Sequence, residues 1–146
     1  MVVEDLHGKG QHMKGHARQF MTTKVVVTTR QTSLAEAARE LARLEVSGLP
    51  VVDADGQVLG IVTESDVLSA LLEDTPVESP VQVAMKTPVV TVDEFTPADT
   101  VIRLLRMYRV HHLPVTRQGV VVGLITPQEV IRYFVMHELP LPPEVA

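Results

Sequence analysis

Gly60-Ile61-Val62-Thr63-Glu64-Ser65-Asp66 reads as an apolar strand running directly into a helix. Ile61 and Val62 are β-branched, which suits a strand. Thr63 with a carboxylate three residues on is a capping box: each side chain satisfies a backbone N–H that the other's segment leaves open. A second copy of the turn, Gly123-Leu124-Ile125-Thr126-Pro127-Gln128-Glu129, lies 63 residues further along. Two such turns in one chain imply a repeat, and the repeat sets the fold.

The rest of the chain aligns outward from these turns. With a shift of 64, Met21 falls on Met85, Val25-Val26 on Val89-Val90, Val46 on Val110 and Leu49-Pro50-Val51 on Leu113-Pro114-Val115. The shift drops to 63 after the turn Asp53-Ala54-Asp55-Gly56, which is one residue longer than its counterpart around Arg117-Gln118-Gly119. Each unit then predicts the order β-α-β-β-α. Val-rich runs at 25–28 and 89–92 read as first strands. Ser33 with Glu36, and Thr96 followed by Pro97, start helices. Leu34, Ala37, Ala38, Leu41 and Leu44 form an apolar stripe at helical spacing, matched by Ala98, Val101, Ile102, Leu105 and Tyr108. Strands follow at 49–52 and 58–62, and at 113–116 and 120–125. A helix closes each unit, at about 64–72 and 127–137.

One unit is too small to bury much of its surface, and its strands are apolar on both faces. The expected fold is therefore α+β, with two repeats packed on each other about a pseudo-twofold axis. The expected organisation is a flexible leader over 1–15, repeats over 16–74 and 80–138, a linker over 75–79 and a tail over 139–146. The leader, having no periodic apolar face, should be dispensable for folding.

Composition narrows the function. The 146 residues carry 13 Lys and Arg against 18 Asp and Glu, a net charge of −5 that disfavours nucleic-acid binding. Cysteine is absent, so there is no disulfide framework, thiolate metal site or thiol nucleophile. Neither a signal peptide nor a membrane span is legible, and a cytoplasmic location is expected. No P-loop and no His-Glu-x-x-His pattern is present, which speaks against an enzyme. His7, His12 and His16 invite a metal reading, with 12 and 16 one helical turn apart, but a solvated leader is the better explanation.

With the β-α-β-β-α order, the Leu-Pro-Val strands and the Gly-Ile-Val-Thr-Glu-Ser-Asp turn in hand, the chain resembles a tandem pair of CBS (cystathionine-β-synthase) domains over about 20–138. The resemblance implies a regulatory, non-catalytic module that binds AMP, ADP or ATP in a cleft between the copies. S-adenosylmethionine is the alternative, as is a purely structural dimerisation module with empty sites. It also implies a regulated protein as partner, expected here to be a separate chain or absent. By the same resemblance Asp66 holds the ribose and Thr63 helps with phosphate. Thr126 stands at the second turn, where Glu129 replaces the family's Asp; its carboxylate sits one methylene further out, so one site per chain is expected. His111 and His112, before Leu113-Pro114, are candidates for phosphate, with tighter binding below about pH 6.5 if they carry charge. Adenine needs an apolar slot with backbone partners, for which Val25, Val26, Val46, Ser47, Gly48, Leu49 and Pro50 are the candidates. For most of these a plain structural role suffices: capping for Thr63, Asp66 and Thr126, core packing for the valines and Leu49. Leu68, Leu71, Leu72, Val130 and Phe134 fall on outward helix faces and predict a homodimer.

Overall fold

The computed structural model describes residues 13–140. The elements run α1 (Ala17–Phe20), α2 (Leu34–Leu44), β1 (Gly48–Val52), β2 (Val58–Thr63), α3 (Glu64–Leu72), β3 (Val92–Asp93), α4 (Ala98–Met107), β4 (Leu113–Arg117), β5 (Val120–Ile125) and α5 (Pro127–His137), with a 3-10 turn at Val81–Val83. β1 and β2 pair antiparallel, as do β4 and β5, and β3 adds to β4 in parallel. This is the α+β pair of like repeats that the sequence predicts.

Local chemistry places the helices. Ser33 caps α2 by accepting the Glu36 N–H at 3.1 Å, and Leu34, Ala37 and Leu41 form its buried stripe. α4 starts one residue later than its sequence suggests. Pro97 is its cap with an extended backbone, and Ala98, Val101 and Leu104 face the core. Leu49 and Leu113 are fully buried at equivalent points of β1 and β4. Each contributes roughly 1.5–3 kcal/mol by leaving water.

The first strands are shorter than predicted. Of 25–28 only Thr28 pairs, as an isolated parallel bridge to Val51, and of 89–92 only Val92 joins β3. The reason is proline. Thr28 donates to the Pro50 carbonyl and accepts from the Val52 N–H, both at 2.9 Å. The next parallel rung would need an N–H on Pro50, and its equivalent one on Pro114, and proline has none.

The two repeats exchange their N-terminal arms. The arm before the first repeat lies on the second: Ala17 N donates to Thr96 O at 2.8 Å, Ala98 N to Gly15 O at 2.9 Å, and Thr22 and Leu124 exchange bonds of 2.9 and 3.0 Å. The arm before the second repeat lies on the first: Leu34 N donates to Ser79 O at 2.9 Å, Val81 N to Thr32 O at 2.7 Å, and Lys86 N to Ile61 O at 2.8 Å. The bridges are equivalent under the repeat, His16–Pro97 matching Ser33–Pro80 and Thr22–Leu124 matching Ile61–Lys86. Each core therefore contains the other arm. Val81 packs with Ala37, Leu49, Val51 and Val62; Met13, Ala17 and Phe20 pack with Val101, Leu104, Leu113 and Ile125. The pseudo-twofold axis passes where equivalent positions meet, at the Gln57–Val120 bridge and where the His112 ring packs on Gly48.

This arrangement corrects the leader at its end. Met13 is 3% exposed, and its N–H donates to Asp99 Oδ1 at 3.1 Å. Residues 1–12, and with them His7 and His12, lie outside the described residues, as do 141–146 of the tail. His16 sits edge-on to Phe95, ring centroids 5.3 Å apart. Among the described residues no helix is long and apolar enough to cross a membrane.

Candidate functional site

The strand-to-helix turn after β2 opens on a cavity of about 650 Å³ between the repeats. Thr63 is the N-cap of α3 and Asp66 the third residue of its first turn, and both halves of the capping box form. Asp66 Oδ2 accepts from the Thr63 N–H at 2.8 Å and from the Thr63 hydroxyl at 2.9 Å. Its other oxygen, Oδ1, is ion-paired with Lys86 Nζ at 2.7 Å. The helix start is also partly committed, since the Glu64 N–H donates to the Ser47 carbonyl at 3.1 Å. Two cationic side chains that line the cavity beyond that start, Lys86 and Arg109, therefore stand as further sources of attraction for an anion.

The walls come from both repeats. Ile61, Thr63, Glu64, Ser65 and Leu68 come from the first repeat, and Lys86, Val89, Val90 and the stretch from Tyr108 to His112 from the second and its arm. Arg109 follows α4 in the left-handed conformation, φ 52°, as Glu45 does after α2. That turn brings the segment 108–112 round to the cavity. His112 closes the inner end. Its Nε2 and the Ser47 Oγ share a hydrogen bond of 2.6 Å across the repeat boundary.

Of the candidates from sequence, Thr63, Ser47, His111 and His112 line this cavity, and Asp66 is bonded to two of its lining residues. Gly48 lies beneath the His112 ring, and Leu49 and Pro50 are fully buried in β1. Val26 and Val46 pack against the core of the first repeat. The lining of the cavity takes in neither them nor Val25; their repeat equivalents Val90, Val110 and Val89 stand there instead. Thr126 caps α5 on the other side of the pseudo-twofold axis, its N–H donating to Glu129 Oε2 at 2.8 Å and its hydroxyl to the same oxygen. Sequence reasoning passed over Lys86, Val89 and Val90. The signal for them was the repeat itself, read across copies rather than within one.

His112 stays neutral more readily than a free imidazole. Burial lowers its pKa first, and the neighbouring His111 lowers it further. The window in which it carries charge therefore lies lower than the ordinary value near pH 6.5. The unfolded chain takes up this proton at a higher pH than the fold does. The stability tied to neutral His112 is thus complete above the ordinary value and is lost as pH falls through the lowered one. His112→Gln should flatten the fall of melting temperature between about pH 7 and pH 5. An identical slope in wild type and variant would show that His112 does not contribute.

A pair of like repeats with open space on their shared boundary defines a tandem-repeat ligand-binding architecture. The CBS domain model matches residues 17–73 and 81–136, and the chain belongs to the CBS domain family, with two copies of the domain. Inosine-5′-monophosphate dehydrogenase of Mycobacterium leprae (strain TN) is 34% identical over 113 residues, 77% of this chain but 21% of the dehydrogenase. The chain thus spans about a fifth of that relative's length. Among solved structures, the CBS domain pair of protein MJ0100 in complex with 5′-methylthioadenosine and S-adenosyl-L-methionine aligns with a TM-score of 0.78 at 25% identity, over 86% of this chain and 100% of that one. CBSX2 in complex with AMP aligns at 0.75 and 27% identity, over 84% and 97% of the two chains.

Proposed function

We propose that this chain is a regulatory module, not an enzyme, that senses an adenine nucleotide (AMP, ADP or ATP) in the cavity between its repeats. The observation that carries the reading is the cavity at the start of α3. Apolar Ile61, Val89, Val90 and Val110 and the cationic Lys86 and Arg109 line about 650 Å³, and the fixed Asp66 carboxylate lies just behind, bonded to the lining residues Thr63 and Lys86. Those are the three things a nucleotide asks for: an acceptor for ribose hydroxyls, a slot for the base and positive charge for phosphate. Similar CBS pairs solved with AMP and with S-adenosyl-L-methionine support it. Thr63, Asp66, His111 and His112 are the residues proposed to hold the ligand, in a cytoplasmic setting, with a separate protein as the regulated partner. S-adenosylmethionine is the second reading, favoured by the carboxylates Glu64 and Asp66 beside the cavity. Titration calorimetry with AMP, ADP, ATP and S-adenosylmethionine separates the readings. Micromolar binding of a nucleotide supports the first, and no heat with any of the four overturns both.

The module is further proposed to pair with a second copy. Leu68, Leu71 and Phe134 are exposed, Leu72 is 86% and Met136 76% exposed, and a groove of about 610 Å³ runs beside Ile102, Leu105, Val130 and Ile131. A closed twofold dimer would cover these faces. Light scattering at high micromolar concentration should give twice the chain mass; a monomer there would rule the pairing out.

A further inference from the structure

We infer that Lys86 is a specificity residue, a counter-ion that makes the cavity select phosphorylated nucleosides over the bare nucleoside. The inference rests on the nucleotide reading above and goes beyond it by assigning how the ligand's phosphate is demanded. Asp66 has one oxygen committed to Thr63 by two hydrogen bonds and the other to the Lys86 ammonium at 2.7 Å. A ligand whose hydroxyls are to reach the outer oxygen must first take the place of Lys86. The ammonium cannot simply leave the site. The backbone of Lys86 is pinned to Ile61 by bonds of 2.8 and 3.2 Å, and the residue lines the cavity. The displaced charge therefore stays within side-chain reach of whatever fills the space. A phosphate gives it a new partner, whereas a neutral nucleoside leaves it with none except Glu64, which also lines the cavity. The device belongs to the first repeat's turn. The residue equivalent to Lys86 in the bridge on the other side is Thr22, which has no charge to pair with Glu129.

The arrangement predicts effects of opposite sign. In Lys86→Met the Asp66 carboxylate is free of its competitor, so adenosine should bind about two- to fivefold tighter. AMP loses its phosphate partner and should bind about three- to tenfold weaker, the modest size reflecting a side chain that is 62% exposed. The fold should survive, because the arm is held through the backbone of Lys86 rather than its side chain. On the wild-type protein, added salt screens the Lys86–Asp66 pair and should likewise weaken AMP while leaving adenosine equal or tighter. Calorimetric Kd values for AMP and adenosine, on both proteins and at low and high salt, read the result. An AMP-to-adenosine preference that is the same in Lys86→Met, or a parallel loss of both ligands, overturns the inference while leaving the nucleotide reading intact. A wild-type protein that binds neither ligand overturns that reading and the inference together.

Discussion

Asp66→Ala is expected to weaken AMP binding by about ten- to a hundredfold, the size of a hydrogen bond made to a charged group. The carboxylate sits behind the cavity wall at 8% exposure, oriented by two bonds from Thr63. An acceptor held this way loses little freedom when a ligand arrives. Glu129→Ala should change the affinity far less. Its carboxylate, on the far side of the pseudo-twofold axis, is bonded to Thr126 within the same turn, and that bond completes a helix cap without any ligand. Both substitutions remove half a capping box, so both should cost about 1 kcal/mol of stability. Melting temperature measured beside affinity separates the two effects. Comparable losses of affinity at the two positions would mean that both turns bind.

Gly60→Ala should be the most damaging small substitution in the first repeat. A Cβ there would stand 2.8 Å from the Lys86 carbonyl oxygen and 3.0 Å from Thr87 Cγ2. Those atoms belong to the exchanged arm, whose bonds to Ile61 leave it no slack. Overpacking of this kind costs about 1–3 kcal/mol, a fall in melting temperature of roughly 3–10 °C for a chain of this size. Ligand affinity should fall with it, because the same arm carries Lys86, Val89 and Val90 to the cavity. The equivalent Gly123 gives an internal control. There a Cβ would meet the Met21 side chain, with Cγ at 2.8 Å, instead of backbone. Met21→Ala should therefore rescue much of Gly123→Ala, whereas Met85→Ala should do little for Gly60→Ala. Equal rescue at both sites would show that the backbone of the arm is free to move.

The repeat, the helix starts and the strand pairs were legible because each is written in local terms. Capping residues three apart, stripes at helical spacing and β-branched runs between turns are enough. Two things were not written locally. The first strands at 25–28 and 89–92 have the right composition, but the missing N–H groups lie on the neighbouring strands, at Pro50 and Pro114, and only the pairing register exposes the conflict. The candidate site was half legible for a related reason. Thr63 and Asp66 announce themselves through their spacing. Which valines face them depends on the exchange of arms, so Val89 and Val90 take the positions for which Val25 and Val26 were the sequence candidates. Lys86 had no local signal at all. Its partner is 20 positions away, on an element that pairs with it only by way of the crossed arm.

That crossing also bears on how unlike the two strand-to-helix turns can become. Halves that trade arms hold each other as the subunits of a swapped dimer do. Here a short peptide link makes their meeting intramolecular, at an effective concentration in the millimolar range. Identical subunits about a true twofold would be obliged to carry identical clefts, and any change in one would appear in the other. Halves joined in one chain are released from that obligation. One strand-to-helix turn has aspartate with a lysine counter-ion, and the other has glutamate with threonine at the lysine's position, while the interlocked arms keep both in the same frame.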